Sequence, residues 1–241
     1  MKTRPTIQEL HQSPAYELVE SFSIDEMSKF IAREINITGR SLPYARTFRS
    51  ARLVLILLAA IGVGILIGWV AGTMLKTGAG ELLLSPVWQI VLALTGFFIV
   101  VLPLHEAIHA LVFKLLGADK VGFGYSLKSM MVYAYAQRFV MTIRENALVA
   151  AMPFILITML LAGLLLVVPG LKMLWFLLLL LHTLGCVGDF VLIKYAYRNR
   201  SRERYTYDDL DEGRTYFFEA LTSDLMEKTF TTYLTSDRHT L

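Results

Sequence analysis

The chain has 241 residues, 55% of them hydrophobic and 18% charged, with a mean hydropathy of +0.54. An average soluble domain carries about 25% charge, so a single water-soluble globule is a poor fit. The net charge of +3 hints at nucleic acid only until the charges are placed. They cluster beside long apolar runs, where a positive-inside bias accounts for them, and nucleic acid is not expected as a partner. A single cysteine, Cys186, excludes an intramolecular disulfide and a cysteine zinc cluster within one chain.

Residues 1–52 read as a polar arm with no cleavable leader. Within it, 24–35 is amphipathic, with Ser23 placed to cap and Glu26 three residues later. Arg46, Arg49 and Arg52 precede the first uncharged run, 53–75, which argues for a cytoplasmic amino terminus. That run carries Gly64, Gly68 and Gly72 at four-residue spacing, one helix face that lets a neighbouring helix approach. Ser85 and Pro86 form a cap and first-turn pair within the second run, 82–104. This helix is expected to continue to Leu116, bent at Pro103 and ended by Gly117.

The segment 119–145 is polar and basic, with strand-like alternation at Val121, Phe123 and Tyr125 and again over 132–136, which suggests a short β-hairpin. Thr142 and Glu145 form a capping box that opens a third apolar helix over 146–171, with Pro153 inside it. Pro169 and Gly170 turn the chain into a fourth run, 173–188, which continues past Asp189 and exits into Lys194, Arg198, Arg200, Arg202 and Arg204. Each run approaches or exceeds the ~20 residues that a helix needs to cross ~30 Å of hydrocarbon.

The expectation is an all-α polytopic membrane protein. It has about four transmembrane helices, a small cytoplasmic hairpin-like insertion between helices two and three, and both termini in the cytoplasm. Its parts are a cytoplasmic N-terminal arm (1–52), a four-span membrane domain (53–197) and a cytoplasmic C-terminal tail (198–241), with a short helix expected over 216–226. The lipid bilayer is its first partner, and a cell membrane its location.

His105-Glu106-Ala107-Ile108-His109 carries the chemistry. On a helix, positions i and i+4 lie one turn apart on one face, so both imidazoles can reach one zinc ion, with Glu106 beside them as a proton acceptor. Such a site needs a third ligand. Asp189 is the acidic residue other than Glu106 in the last three apolar runs, and a carboxylate at membrane depth is a functional candidate by default. Counted from Pro86, His105 lies roughly 28 Å along its helix; counted from Leu171, Asp189 lies roughly 27 Å along its own, so the two can meet. Asp189 could instead reach the interface or pair with Lys194 or His182. His182 is open between a group that holds Asp189 in place, an alternative ligand and a packing residue; Asn146 and His182 are also candidates to donate to an oxyanion. Cys186 reads as a small packing residue.

These residues resemble those of the bacterial zincin peptidases grouped as the DUF3267 family, and more distantly are similar to the site-2 protease class of intramembrane metalloproteases. The resemblance covers roughly 92–197: the HEAIH helix, the following stretch with Tyr133-Ala134-Tyr135-Ala136, the Pro153 helix and the Gly188-Asp189 pair. It implies a Zn2+ site of His105, His109 and Asp189, with Glu106 catalytic. The expected function is a membrane-embedded zinc endopeptidase of the HExxH type, cutting a membrane protein or peptide near the cytoplasmic face. The competing readings are a non-catalytic zinc-binding membrane protein and an ion-binding transporter or accessory subunit.

Overall fold

The computed structural model describes residues 4–35, 85–128 and 131–221. In chain order the elements are α1 (Ile7–Gln12), β1 (Tyr16–Ser23), a 3-10 turn (Ile24–Glu26), α2 (Met27–Glu34), α3 (Pro86–Gly96), a π turn (Phe97–Val101) and α4 (Leu102–Leu115). There follow β2 (Val121–Ser126), β3 (Met131–Ala136), β4 (Met141–Thr142), α5 (Ile143–Val167), α6 (Lys172–Gly185), α7 (Val187–Arg198), β5 (Arg204–Asp209) and β6 (Arg214–Ala220).

The all-α expectation is wrong. Among the described residues helix takes about 60% and strand 22%, and the strands form two antiparallel sheets, so the fold is mixed α/β. One sheet has the order β1-β6-β5-β4, and the other is the hairpin β2-β3. Long-range pairing is what the sequence reading lacked: β1 and β6 join Tyr16 to Ala220 and Ser23 to Arg214. The tail helix expected over 216–226 lies outside the described residues from 222 on, and it is corrected over 216–220, where β6 runs as a strand. Its neighbours explain why. Tyr205, Tyr207, Tyr216 and Phe218 alternate to one face and bury themselves with Leu10 and Val140, which a helix through these positions would not do.

The chain divides into two compact units. The first takes in residues 1–31, 108–152 and 189–241 and contains both sheets. Behind the larger sheet, Phe22, Phe30, Ile143, Val191, Tyr195 and Phe217 form a core, with Phe22 stacked on Phe30 at 4.8 Å between ring centroids. Aromatic rings supply the large buried area that a small sheet needs. Arg204 binds Glu219 on the adjacent strand at 2.7 Å and donates to the Tyr195 hydroxyl at 2.9 Å. In the hairpin, Gly122 and Gly124 stand opposite Tyr135 and Tyr133, whose rings lie where a Cβ would be, at 2.6 and 2.7 Å. A side chain at either position would have to displace the ring that covers it. The hairpin suggested by the alternation is therefore present.

The second unit, 32–107 and 153–188, contains in its described part the end of α2 and the apolar helices from Pro86 to Ala107 and from Pro153 to Gly188. Ser85 caps α3 by accepting from the Trp88 N–H, with Pro86 in its first turn, as the sequence indicates. Gln89 is the buried polar anchor: its amide donates to the Gly170 carbonyl at 3.3 Å and accepts the Leu174 N–H at 3.1 Å. This answers one orphan donor at the start of α6. Outward-facing positions are apolar, among them Phe98, Ile99, Met159 and Leu166.

Among the described residues, two helices are long and apolar enough to cross a membrane, the run Pro86–Leu115 and Ile143–Val167. The fourth run is not one straight helix. It breaks at Cys186 into α6 and α7, bent by 49°, and counts as a third span only if the pair is taken together. The first expected span, with its glycine face and arginine flank, lies outside the described residues. The capping box at the start of α5 is formed: the Thr142 N–H donates to Glu145 at 2.8 Å and the Glu145 N–H to Thr142 at 3.2 Å.

Candidate metal centre

Three irregularities in apolar helices shape the centre. The first precedes the HEAIH sequence. Pro103 has no N–H to give the Ile99 carbonyl, and its ring crowds that oxygen. The helix meets this with the π turn Phe97–Val101, in which the Leu102 N–H reaches back to the Phe97 carbonyl. α4 then starts regularly, with His105, Glu106 and His109 all buried and the two histidines one turn apart on it.

The second irregularity is Pro153 in α5. The residue that would normally bond the Val149 carbonyl is four positions on, and it is this proline. The carbonyl so released accepts from His109 Nδ1 at 3.0 Å. A carbonyl oxygen only accepts, so Nδ1 carries the hydrogen and Nε2 presents its lone pair in the neutral ring.

The third is the break at Cys186, which lets α7 begin at Val187 and puts Asp189 in its first turn, where the helix dipole favours a carboxylate. Asp189 Oδ1 lies 3.3 Å from His109 Nε2, with both side chains nearly buried. The nitrogen left bare by the Val149 bond therefore faces a carboxylate oxygen. Donation of one ring N–H to a backbone carbonyl, which fixes the tautomer and leaves the other nitrogen to a cation, is how metal-ligating histidines are usually held.

His105 has different company. Its Nδ1 lies 3.3 Å from His182 Nε2 and 3.9 Å from Cys186 Sγ, and that sulfur is 3.5 Å from His182 Nε2. All three side chains are buried. His182 is thus next to His105, while Asp189 is paired with His109. Asn146 is half-buried in α5, and no hydrogen bond ties it to a histidine among the described residues. The sequence reading missed the place of Cys186. A signal was there: His182 and Cys186 are four residues apart, the same spacing as His105 and His109, on an apolar helix.

A buried glutamate follows the first histidine of a helical pair, a carboxylate faces the second, and the surroundings are apolar. Two histidines one turn apart with a glutamate after the first are the pattern of a zinc-binding helix. Residues 98–202 match the family model described as DUF3267, Putative zincin peptidase. The match contains His105, Glu106, His109, His182, Cys186 and Asp189. No curated protein matches the chain, and no solved structure does.

Proposed function

We propose that the chain is a membrane-embedded zinc endopeptidase acting on a membrane protein or peptide near the cytoplasmic face. In this reading it is a multi-pass protein with both termini cytoplasmic, its arm 1–52 and tail 198–241 flanking the membrane domain 53–197. His105, His109 and Asp189 hold the metal, and Glu106 moves protons. The observation that carries the reading is the coupled geometry at His109. One ring nitrogen is fixed by the carbonyl that Pro153 releases, and the other lies 3.3 Å from Asp189. The donor set fits: two neutral imidazoles and one carboxylate are the chemistry of a catalytic zinc position that keeps room for water.

Bound there, zinc supplies a Lewis acid that polarises a carbonyl and makes water acidic near neutral pH. The Glu106 carboxylate takes the proton of the attacking water and returns it to the leaving amine, a transfer worth about 10²–10⁴-fold in rate. The Val149 carbonyl keeps the second histidine from turning, and Asp189 supplies the negative charge that offsets the cation in a buried site. The apolar helices exclude bulk solvent, so these few charges act in a low dielectric. The basic residues after α7 and the two long apolar helices support the membrane setting.

The test uses the full chain in detergent. Wild type is expected to carry zinc and to hydrolyse a peptide bond in a membrane-segment library. H105A loses the metal, D189N binds it more weakly, and E106Q retains it with turnover down about 10²–10⁴-fold. Unchanged turnover in E106Q, or undiminished zinc affinity in D189N, overturns the assignment.

A further inference from the structure

The contacts of His105 with His182 and Cys186 have no part in peptide hydrolysis as proposed above, yet their dimensions are specific. With zinc bonds of about 2.0–2.1 Å to nitrogen and 2.3 Å to sulfur at tetrahedral angles, two ligating nitrogens stand about 3.3 Å apart, and a nitrogen and a sulfur about 3.6 Å apart. The observed separations are 3.3 Å for the nitrogens and 3.5 and 3.9 Å for nitrogen to sulfur. The ligand atoms all lie within 4.8 Å of one another, in side chains that are buried throughout.

The local structure presents these atoms together. His182 and Cys186 are one turn apart at the end of α6, where the Cys186 N–H closes the helix on the His182 carbonyl. The His182 ring lies parallel to Phe154, with 6.3 Å between centroids, and meets His105 edge-on. Between these rings, its Nε2 lies 3.3 Å from His105 Nδ1 and 3.5 Å from Cys186 Sγ. The nearest equivalent made of hydrogen bonds alone would gain little from the cysteine, whose S–H is a weak donor.

We propose that His105, His182 and Cys186 form a second metal position, selective for a thiophilic cation such as Zn2+ or Cu+. Two imidazoles and one thiolate give a softer set than the histidine–carboxylate position. Binding displaces the thiol proton, which leaves the site as a solvent proton. A neutral imidazole has one lone pair. His105 therefore serves one ion at a time, and occupation of this position competes with occupation of the other. An ion held by His182 and Cys186 through the His105 Nδ1 lone pair leaves His105 none for a second ion. The assignment does not require that the protein be a peptidase.

The experiment is a Co2+ titration of the metal-free full chain in detergent, read by thiolate-to-cobalt charge-transfer absorption in the near ultraviolet. With one cysteine in the chain, any such band reports Cys186. D189N weakens the competing position, so it is expected to show the band at about one Co2+ per chain. The band is lost in D189N/C186S and needs at least tenfold more Co2+ in D189N/H182Q, a replacement that keeps volume. No band in D189N, or equal Co2+ affinity with and without His182, overturns the proposal. Absorbance is independent of turnover, so an inactive wild type leaves this result standing, and an active wild type with no band in D189N sinks this site alone.

Discussion

The larger sheet and the apolar helices bury polar groups by different means. In the sheet, side chains answer side chains: Arg204 has Glu219 and Tyr195, and Asp209 has Arg138 and Gln137. In the helices, backbone groups do much of the work. Gln89 bonds the Gly170 carbonyl and the Leu174 N–H, and His109 bonds the Val149 carbonyl. A strand commits its backbone sideways to its neighbours, which leaves the side chains to pair with one another. A helix satisfies its backbone internally and has nothing spare, except where a proline or a terminus releases a carbonyl. In an apolar helix, a proline is therefore a means of placing an acceptor at a chosen depth.

The largest effect should follow from separating a pair in the sheet. E219A leaves the Arg204 guanidinium buried with one neutral partner, and deprives Arg202 of its 2.8 Å contact as well. Breaking a buried pair from one side costs about 3 kcal/mol or more. Amide exchange of β5 and β6 in the intact chain should lose protection by roughly a hundredfold. The double replacement R204M/E219L should recover most of it, because a matched apolar pair has no stranded charge. If E219A alone leaves protection unchanged, side-chain pairing is not what secures the sheet.

P153A tests the helical half and should produce two effects of opposite sign. It restores an N–H to α5, which raises helix stability by up to about 3 kcal/mol. The same N–H competes for the Val149 carbonyl and loosens His109. Loss of the group that orients a metal-binding histidine costs about 10–100-fold in affinity. The lower end is expected, since a carbonyl oxygen has a second lone pair. A more stable protein with about tenfold weaker zinc binding is the predicted outcome, measured by thermal melting and competitive chelation. Equal affinity in P153A would mean that His109 is held by packing alone.

How much of this was legible in the sequence divides along the same line. Local signals read well: the Thr142–Glu145 box, the Ser85-Pro86 start, the hairpin around Gly122 and Gly124, and the HEAIH helix depend on residues a few positions apart. The placing of Asp189 against a histidine could be anticipated from equal path lengths along two helices, and the partner turns out to be His109. The larger sheet escaped because β1 and β6 are nearly two hundred residues apart, and no local pattern encodes which strands pair. A trace of it was present. The sequence Arg-Tyr-Thr-Tyr, a turn ending in Gly213 with φ 62°, then Thr-Tyr-Phe-Phe is a hairpin pattern that the acidic turn residues obscured. The place of Cys186 beside His105 was hidden by the break in a run whose composition indicates one continuous helix.

The smallest of the expected effects sharpens the comparison by pH. Burial pushes the Asp209 carboxyl up, but hydrogen bonds from Arg138 at 2.7 Å, from the Glu212 N–H and from Gln137 outweigh it and hold it below the usual carboxylate range. A group depressed on folding contributes stability above its unfolded pKa, and that contribution disappears as pH falls through its folded value. The sheet should therefore lose protection in acid, beginning where free carboxylates titrate. D209N should lose about 1 kcal/mol at neutral pH, a modest figure because the Arg138 side chain is half exposed. Its exchange profile should then be flatter than the wild type in acid, since one proton-linked contribution is gone. Arg138 makes this contact from a left-handed backbone conformation, φ 53°, which a residue with a Cβ adopts only when its surroundings compensate. Releasing Asp209 removes that compensation, so the turn carrying Arg138 should show the greater part of the lost protection. A loss spread evenly over β5 and β6 would instead mean that the pair braces the sheet as a whole.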